Sequence, residues 1–286
     1  MQFIRHLEPF QNVQANGRAV LSSKLVLGNL IERIYLVLGG TTFTKALITA
    51  IRVRLNGKVV FGDITGTDLD EIQQYTLLNT NVGFLTIDFT EPTARSIQGQ
   101  LMGAINTNAA GVTDFAVEVD IGAAVAPTLD AYVQLRAPSS VGPGQGFDPN
   151  LAPVMRALIP TTIPVTAAGE IQADVNFGSG GSSLIKRLFI FSALLTSMRI
   201  KRDALDVYEN INRPLNSFIE LDYGRVAQAA PTLLYVWDPL MDGNQSDAYP
   251  TRRPDTTPSN FQFQFTSSGA GTHKVYTDVY STLGAL

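Results

Sequence analysis

Residues 48–75, ITAIRVRLNGKVVFGDITGTDLDEIQQY, constrain the fold more tightly than any other stretch. Ile51, Val53 and Leu55 alternate with Arg52 and Arg54. A period of two turns every second side chain to the same face, so this is a half-buried strand with an aliphatic inner side. Asn56-Gly57 follows, a pair suited to the positive φ angles of a tight hairpin. Residues 58–61 return as the partner strand, and Thr67 is placed to cap a short helix with Asp68, Asp70 and Glu71 near its positive end. The pattern has an echo. Residues 195–208 read LTSMRIKRDALDVY, with Arg199-Ile200-Lys201 where Arg52-Val53-Arg54 stood, and an acidic-aliphatic segment ending in tyrosine follows each. The chain reads as one β unit used twice, with Val53 and Ile200 at like positions facing a core.

The rest of the chain has the same style. Alternating segments predict strands over 19–27, 31–38, 82–89, 115–121 and 129–135 in the first half. The second half gives one or two strands over 161–175, then 184–191, 196–202, 218–222, 232–237, 261–265 and 273–280. Short helices are expected from Thr90-Glu91-Pro92 to about Leu101, around Val154-Met155-Arg156, and over 203–208. Residues 3–10 read as a terminal segment tied down by Phe3, Ile4 and Leu7. Residues 137–146 are small, uncharged and rich in Gly and Pro, which suits a linker. The expected organisation is a first domain over 1–137, a linker over 138–150 and a second domain over 151–286. Seven or eight short strands per half, separated by turn signals, predict an all-β chain: two tandem eight-stranded jelly-roll β-sandwiches, a double jelly roll, with short helices in loops. Periodicity does not encode strand order, so another β-sandwich stays open at this point.

Chemistry is sparse by contrast. With no cysteine, thiolate nucleophiles, thiolate metal sites and disulfides are excluded. A net charge of −4 argues against a general nucleic-acid binder, which carries a basic stripe. No run of 18 apolar residues is present, so no membrane-spanning helix is expected, and the opening MQFIRHLEPFQNV lacks the apolar core of a signal peptide. The two histidines, His6 and His273, stand far apart, too few for a cupin-type metal cluster, and His273 is expected at a surface or interface. Phosphate-loop, zincin and nucleophile-elbow motifs are missing, and no pair of carboxylates stands out for glycoside hydrolysis. Asp238, Asp242 and Asp247, with Asn244, share one polar loop and are the candidate oxygen ligands for calcium, although their spacing is not that of an EF-hand and a solvated loop is the blander alternative. Arg252-Arg253 suits a phosphate or a neighbouring acid, and Tyr235 with Trp237 either a sugar-stacking surface or buried packing. No cofactor is required. So much scaffold with so little chemistry favours a structural or binding protein over an enzyme, and a lectin-like double sandwich is the second reading.

Residues 34–40, then Ile51-Arg52-Val53-Arg54-Leu55-Asn56-Gly57-Lys58, then Thr67-Asp68-Leu69 and Tyr75, resemble the N-terminal domain of the major coat protein of corticoviruses, which are icosahedral, lipid-containing bacteriophages. The run from Gly111-Val112-Thr113 to Asp120-Ile121, followed by Leu129-Asp130-Ala131, is similar to that family's later strands. The resemblance covers 19–136 and is weaker over 150–286; the Pro-rich loop at 238–258 has no match in it. It implies a double jelly roll in the wider lineage of tectivirus and adenovirus coat proteins. It also implies a homotrimer forming a pseudo-hexagonal tile, with neighbouring capsid trimers and penton or minor capsid proteins as partners. Contact with an internal viral membrane, bound calcium without a transferable ligand motif, no specific nucleic-acid binding, and a place in the virion shell after assembly in the host cytoplasm complete the expectation.

Overall fold

The computed structural model describes residues 2–137, 154–178, 183–225 and 234–286. The chain divides into two compact units, one of Met1–Ala157 with Tyr280–Gly284 and Leu286, the other of Leu158–Val279 with Ala285. The expected linker at 138–150 lies outside the described residues.

The first unit contains β1 (Gln2–His6), β2 (Arg18–Ser22), β3 (Leu30–Gly39), β4 (Ile48–Leu55), β5 (Lys58–Ile64), α1 (Gly66–Tyr75), β6 (Phe84–Asp88), α2 (Ile97–Leu101), the two-residue β7 (Ile105–Asn106), β8 (Phe115–Ile121) and β9 (Thr128–Arg136). They form one sheet of order β1-β9-β3-β6 and a second of order β5-β4-β8-β2. Alternation does the sorting: in β8, Phe115, Val117, Val119 and Ile121 are buried while the residues between them reach outward. Ile34, Leu36, Ile51, Val53, Leu85, Ile87 and Val133 complete a buried aliphatic core.

The second unit holds most of β10 (Val154–Val165), then β11 (Gly169–Ala173), β12 (Leu184–Phe191), β13 (Leu195–Arg202), β14 (Leu205–Asn212), α3 (Arg213–Asp222), β15 (Leu234–Trp237), the two-residue β16 (Tyr249–Pro250), β17 (Phe261–Ser267) and β18 (Gly271–Thr282). Its sheets run β15-β12-β18-β10 and β11-β17-β13-β14. With β7 and β16 set aside, each unit pairs its first, eighth, third and sixth strands in one sheet and its second, seventh, fourth and fifth in the other. That is the jelly-roll order, and it occurs twice.

The duplication is closest where the sequence echo lies, and it extends further than the echo. β4 and β13, β5 and β14, and α1 and α3 each begin at the same sequence separation. Val53 and Ile200 are both fully buried, Val53 opposite Phe61 and Val117, Ile200 opposite Tyr208 and Phe263. The hairpin turns match: Asn56 and Gly57 have φ of 50° and 77°, Asp203 and Ala204 of 51° and 70°. Each turn is clipped to the start of the seventh strand. Asn56 Oδ1 accepts from Asp114 N at 3.1 Å, and Asp203 Oδ1 accepts from Asn260 N at 2.9 Å. Late in the fifth strand, Asp63 and Asn210 sit at φ of 47° and 46° within a β-bulge of each pair.

Several sequence expectations are corrected. Thr65, not Thr67, caps α1, its side chain accepting from Asp68 N at 3.1 Å. Thr90 turns back onto Asp88, and the helix that follows is the single turn α2, capped by Ser96. Val154, Met155 and Arg156 open strand β10 rather than a helical turn. Residues 203–208 form the hairpin turn and the start of β14, and 218–222 are the end of α3 rather than a strand. There the alternation Phe218-Ile219-Glu220-Leu221-Asp222 imitates a strand, while the Asn212 cap and Pro214 in the first turn start a helix.

Candidate functional site

The outer face of the sheet β5-β4-β8-β2 carries a ladder of charges set by cross-strand register. Arg52 lies between Asp63, at 2.5 Å, and Asp120, at 2.8 Å; Arg18 reaches Asp120 at 2.6 Å and Arg54 reaches Glu118 at 2.8 Å. Partial burial opposes ionisation of Asp120, but hydrogen bonds from Arg18 and Arg52 outweigh it and hold its carboxyl below the usual range. The equivalent sheet of the second unit has a thinner version, in which Arg199 forms a two-pronged pair with Asp206 at 2.8 and 2.7 Å.

The second unit takes other charges inside. Lys186 and Arg187 interrupt the apolar run of β12 and are fully buried. Arg187 Nε lies 2.8 Å from Asp238 Oδ2, Arg225 reaches the same oxygen at 3.7 Å, and Lys186 lies 3.4 Å from Asp278. Beside them, α3 presents its polar side inward. Asn216 Nδ2 donates to Val236 O at 3.0 Å and to Glu220 Oε1 at 2.7 Å, and the Tyr208 hydroxyl donates to Asn216 Oδ1. Burial, reinforced by the nearby Asp238, pushes Glu220 up to about 8 against the opposing Asn216 hydrogen bond and Arg225. Glu220 is therefore largely protonated at neutral pH, which limits the cost of burying it.

The calcium candidates do not converge. Asp238 belongs to the buried cluster, Asp242 Oδ1 accepts from Asn244 N at 2.9 Å, and Asp247 Oδ2 accepts from Asn244 Nδ2 at 3.1 Å. Among the described residues, no group of three or more His, Cys, Asp or Glu is placed to hold a metal ion. His273 corrects another expectation: it is buried on β18, neither ring nitrogen has a hydrogen-bond partner among the described residues, and burial pushes its pKa down. His6 stays at the surface against Tyr132 and Asp130. Arg253 pairs with Asp203 at 2.5 Å, and Arg252 donates weakly to Thr256 O. Tyr235 and Trp237 are buried in β15, so they offer no sugar-stacking surface.

Two apolar surfaces escaped the sequence reading. On the outer face of the sheet β1-β9-β3-β6, Tyr35 lies opposite both Tyr132 and Thr86, and Val37 lies opposite Phe84. Ile4 is 63% exposed and Phe84 50%; with Tyr35, Val37 and Tyr132 they line a hollow of about 650 Å³. On the second unit, Leu215, Phe218, Leu221 and Tyr223 stand outward from α3 and its cap, Phe218 being 63% exposed. The signal for the first was the alternation itself, apolar on both sides of β3; for the second it was the Asn212-Arg213-Pro214 helix start. Contiguous exposed apolar surface of this kind marks interaction sites.

Comparison with known proteins bears on what these surfaces serve. The family model for the N-terminal domain of viral coat protein P2 matches residues 4–136, and the model for its C-terminal domain matches residues 155–283. Among solved structures, the chain is similar to the major capsid protein P2 of bacteriophage PM2, with a TM-score of 0.81 at 19% identity over 99% of this chain and 98% of that one. The STIV MCP superposes with a TM-score of 0.67 at 13% identity over 100% of both chains. The PBCV-1 virus capsid gives 0.59 at 11% identity over 98% of this chain and 93% of that one. At such identities these likenesses are of fold. A search of curated proteins gives no match.

Proposed function

The chain belongs to the viral coat protein P2 family, and from that premise we propose that it builds the icosahedral shell of a virus with an internal lipid membrane. It acts as a homotrimer without catalytic activity. The observation that carries this reading is the repetition of one jelly-roll topology within a single chain. Three such chains around an axis present six similar sandwiches, a pseudo-hexagonal tile able to pack against six neighbours. Closed threefold symmetry needs heterologous contacts, in which one side of a subunit meets a different side of the next, and such a contact needs more than about 1,000 Å² to be stable. Neighbouring trimers, penton or minor capsid proteins and the membrane are the partners, and assembly takes place in the host cytoplasm.

Light scattering on purified protein is expected to give three times 30.9 kDa, and images of assembled particles to show pseudo-hexagonal capsomers with two upright sandwiches per chain. A protein that stays monomeric at micromolar concentration and does not assemble would overturn the trimer.

A further inference from the structure

The two units share a frame but differ in what they leave bare. In the second unit, β12 from Ile185, all of β15, and β18 from Val275 to Val279 are buried on both faces. Their equivalents in the first unit are less fully covered: β9 is buried on one face and exposes Tyr132 on the other, β3 leaves Tyr35 and Val37 half-buried, and β6 exposes Phe84 at its start. The helices show the opposite asymmetry. α1 buries Leu69, Ile72 and Tyr75, whereas α3, at the same place in the fold, buries only Asn216 and Glu220 and turns Leu215, Phe218 and Leu221 outward. The bare sheet face of the first unit thus has a covered counterpart in the second, and the α1 positions that match Leu215, Phe218 and Leu221, namely Asp68, Glu71 and Gln74, are buried or half-buried.

From this we infer that α3 of one copy docks onto the outer face of β1-β9-β3-β6 of the next copy. The inference deepens the trimer reading and rests on it. In a ring closed from duplicated chains, equivalent elements acquire similar surroundings, so the bare sheet face and the bare helix are the two surfaces the ring has still to cover. They are chemically matched. The helix offers uncharged apolar side chains recurring every three residues along one side, and the sheet offers a concave patch centred on Ile4, Tyr35, Val37, Phe84 and Tyr132. Its hollow of about 650 Å³ falls within the roughly 300–1,000 Å³ of clefts that bury an apolar ligand, and an amphipathic helix laid in a groove is a recurrent recognition mode. The two surfaces are different, as a heterologous contact requires. Lipid fits the helix less well, because interfacial helices flank their apolar face with Lys or Arg, and the one cation of α3, Arg213, instead donates to Ser192 O at 2.7 Å.

The absence of native cysteine makes the test clean. The double variant Phe84→Cys/Phe218→Cys, treated with a short bis-maleimide, is expected to give covalent dimers and trimers, and each single variant only monomers. The pair Tyr132→Cys/Leu215→Cys should do the same. Phe218→Asp and Phe84→Asp should each weaken trimers at least 100-fold by light scattering, while Ile97→Asp, exposed on α2, should leave them unchanged. Trimers that form normally but cross-link at neither pair would overturn this contact and leave the trimer standing. Covalent dimers from a single variant would overturn it in favour of a like-with-like contact. Wild-type binding to phosphatidylglycerol vesicles that Phe218→Asp abolishes while trimers persist would assign the helix to lipid instead. Wild-type protein that is monomeric throughout would remove both readings together.

Discussion

Where α1 of the first unit places Gln73, α3 of the second places Glu220, and where α1 places Leu69, α3 places Asn216. Both helices are tied to the sixth strand of their sandwich, through Gln73 Nε2 to Thr86 O at 2.9 Å in one and Asn216 Nδ2 to Val236 O at 3.0 Å in the other. The tether is kept while the chemistry around it is inverted. Leu69 and Ile72 pack inward, so the first helix hides its apolar side; Asn216 and Glu220 point inward, so the second displays its own. The charges are redistributed likewise. The first unit spreads an arginine–carboxylate ladder over an outer face and buries Glu32, Asp88 and Glu91, whereas the second buries Lys186 and Arg187 together with Asp238 and Asp278. A duplicated fold therefore fixes backbone course and turn geometry and leaves free which sides of its elements stay available for neighbours.

The coarsest way to break this comparison is to separate its two terms. If the units are cored independently, with a boundary at 138–150, limited proteolysis of unassembled protein should cut first there and leave fragments near half length. First cuts inside 48–62 would show that the frame is not the independent unit. The frame itself is tested by Val53→Asp and Ile200→Asp. Each buries a carboxylate in an apolar core, so each should cost on the order of 5 kcal/mol and abolish soluble expression or sharply lower the melting temperature. Arg199→Asp, which loses a partly exposed pair with Asp206, should cost about 1 kcal/mol; Arg52→Asp, which sets a carboxylate among Asp63, Glu118 and Asp120, should cost more but stay milder than Val53→Asp. Unequal damage from the two core changes would show that the halves are not equivalent in stability.

The inverted helix makes a pH prediction specific to the second unit. Glu220 is raised from 4.5 to about 8. Between those values the folded unit keeps a proton that the unfolded chain has released. The stability linked to Glu220 is thus fully present below about pH 4.5 and is lost as pH rises towards 8, by as much as about 4 kcal/mol. Thermal melts from pH 5 to pH 9 should show this decline, and Glu220→Gln should flatten it. An equal decline in the variant would place the titrating group elsewhere.

The smallest effects lie in the matched turns. Ala204 occupies the left-handed conformation that Gly57 occupies in the first unit, at φ of 70° against 77°. A side chain is disfavoured there by roughly 1 kcal/mol, and nothing lies within 4 Å of a Cβ added at Gly57, so strain is the main cost of filling that position. Ala204→Gly should raise stability by about 0.5–1 kcal/mol and Gly57→Ala lower it by a similar amount. Opposite shifts in chemical denaturation would confirm that the turns are interchangeable.

Most of the frame was legible because its causes are local. The alternation of Ile51, Val53 and Leu55, the Asn56-Gly57 turn and the echo at Arg199-Ile200-Lys201 depend on neighbours along the chain, and periodicity reports which side chains share a face. The sequence by itself determined that the chain is β-rich and duplicated and that it turns at Asn56-Gly57, whereas the matching turn at Asp203-Ala204 was hidden in an expected helix. Only the tertiary structure decided that Phe218 and Leu221 belong to a helix with its polar side buried, that His273 lies inside, and that Asp238 faces Arg187 and Arg225. Those outcomes depend on groups distant in sequence, such as Val236 O for Asn216 and Arg225 for Glu220, whose hydrogen bonds and charges make burial of a polar side tolerable. Periodicity names the two faces of an element. Which face loses its water is set by what the fold brings against it.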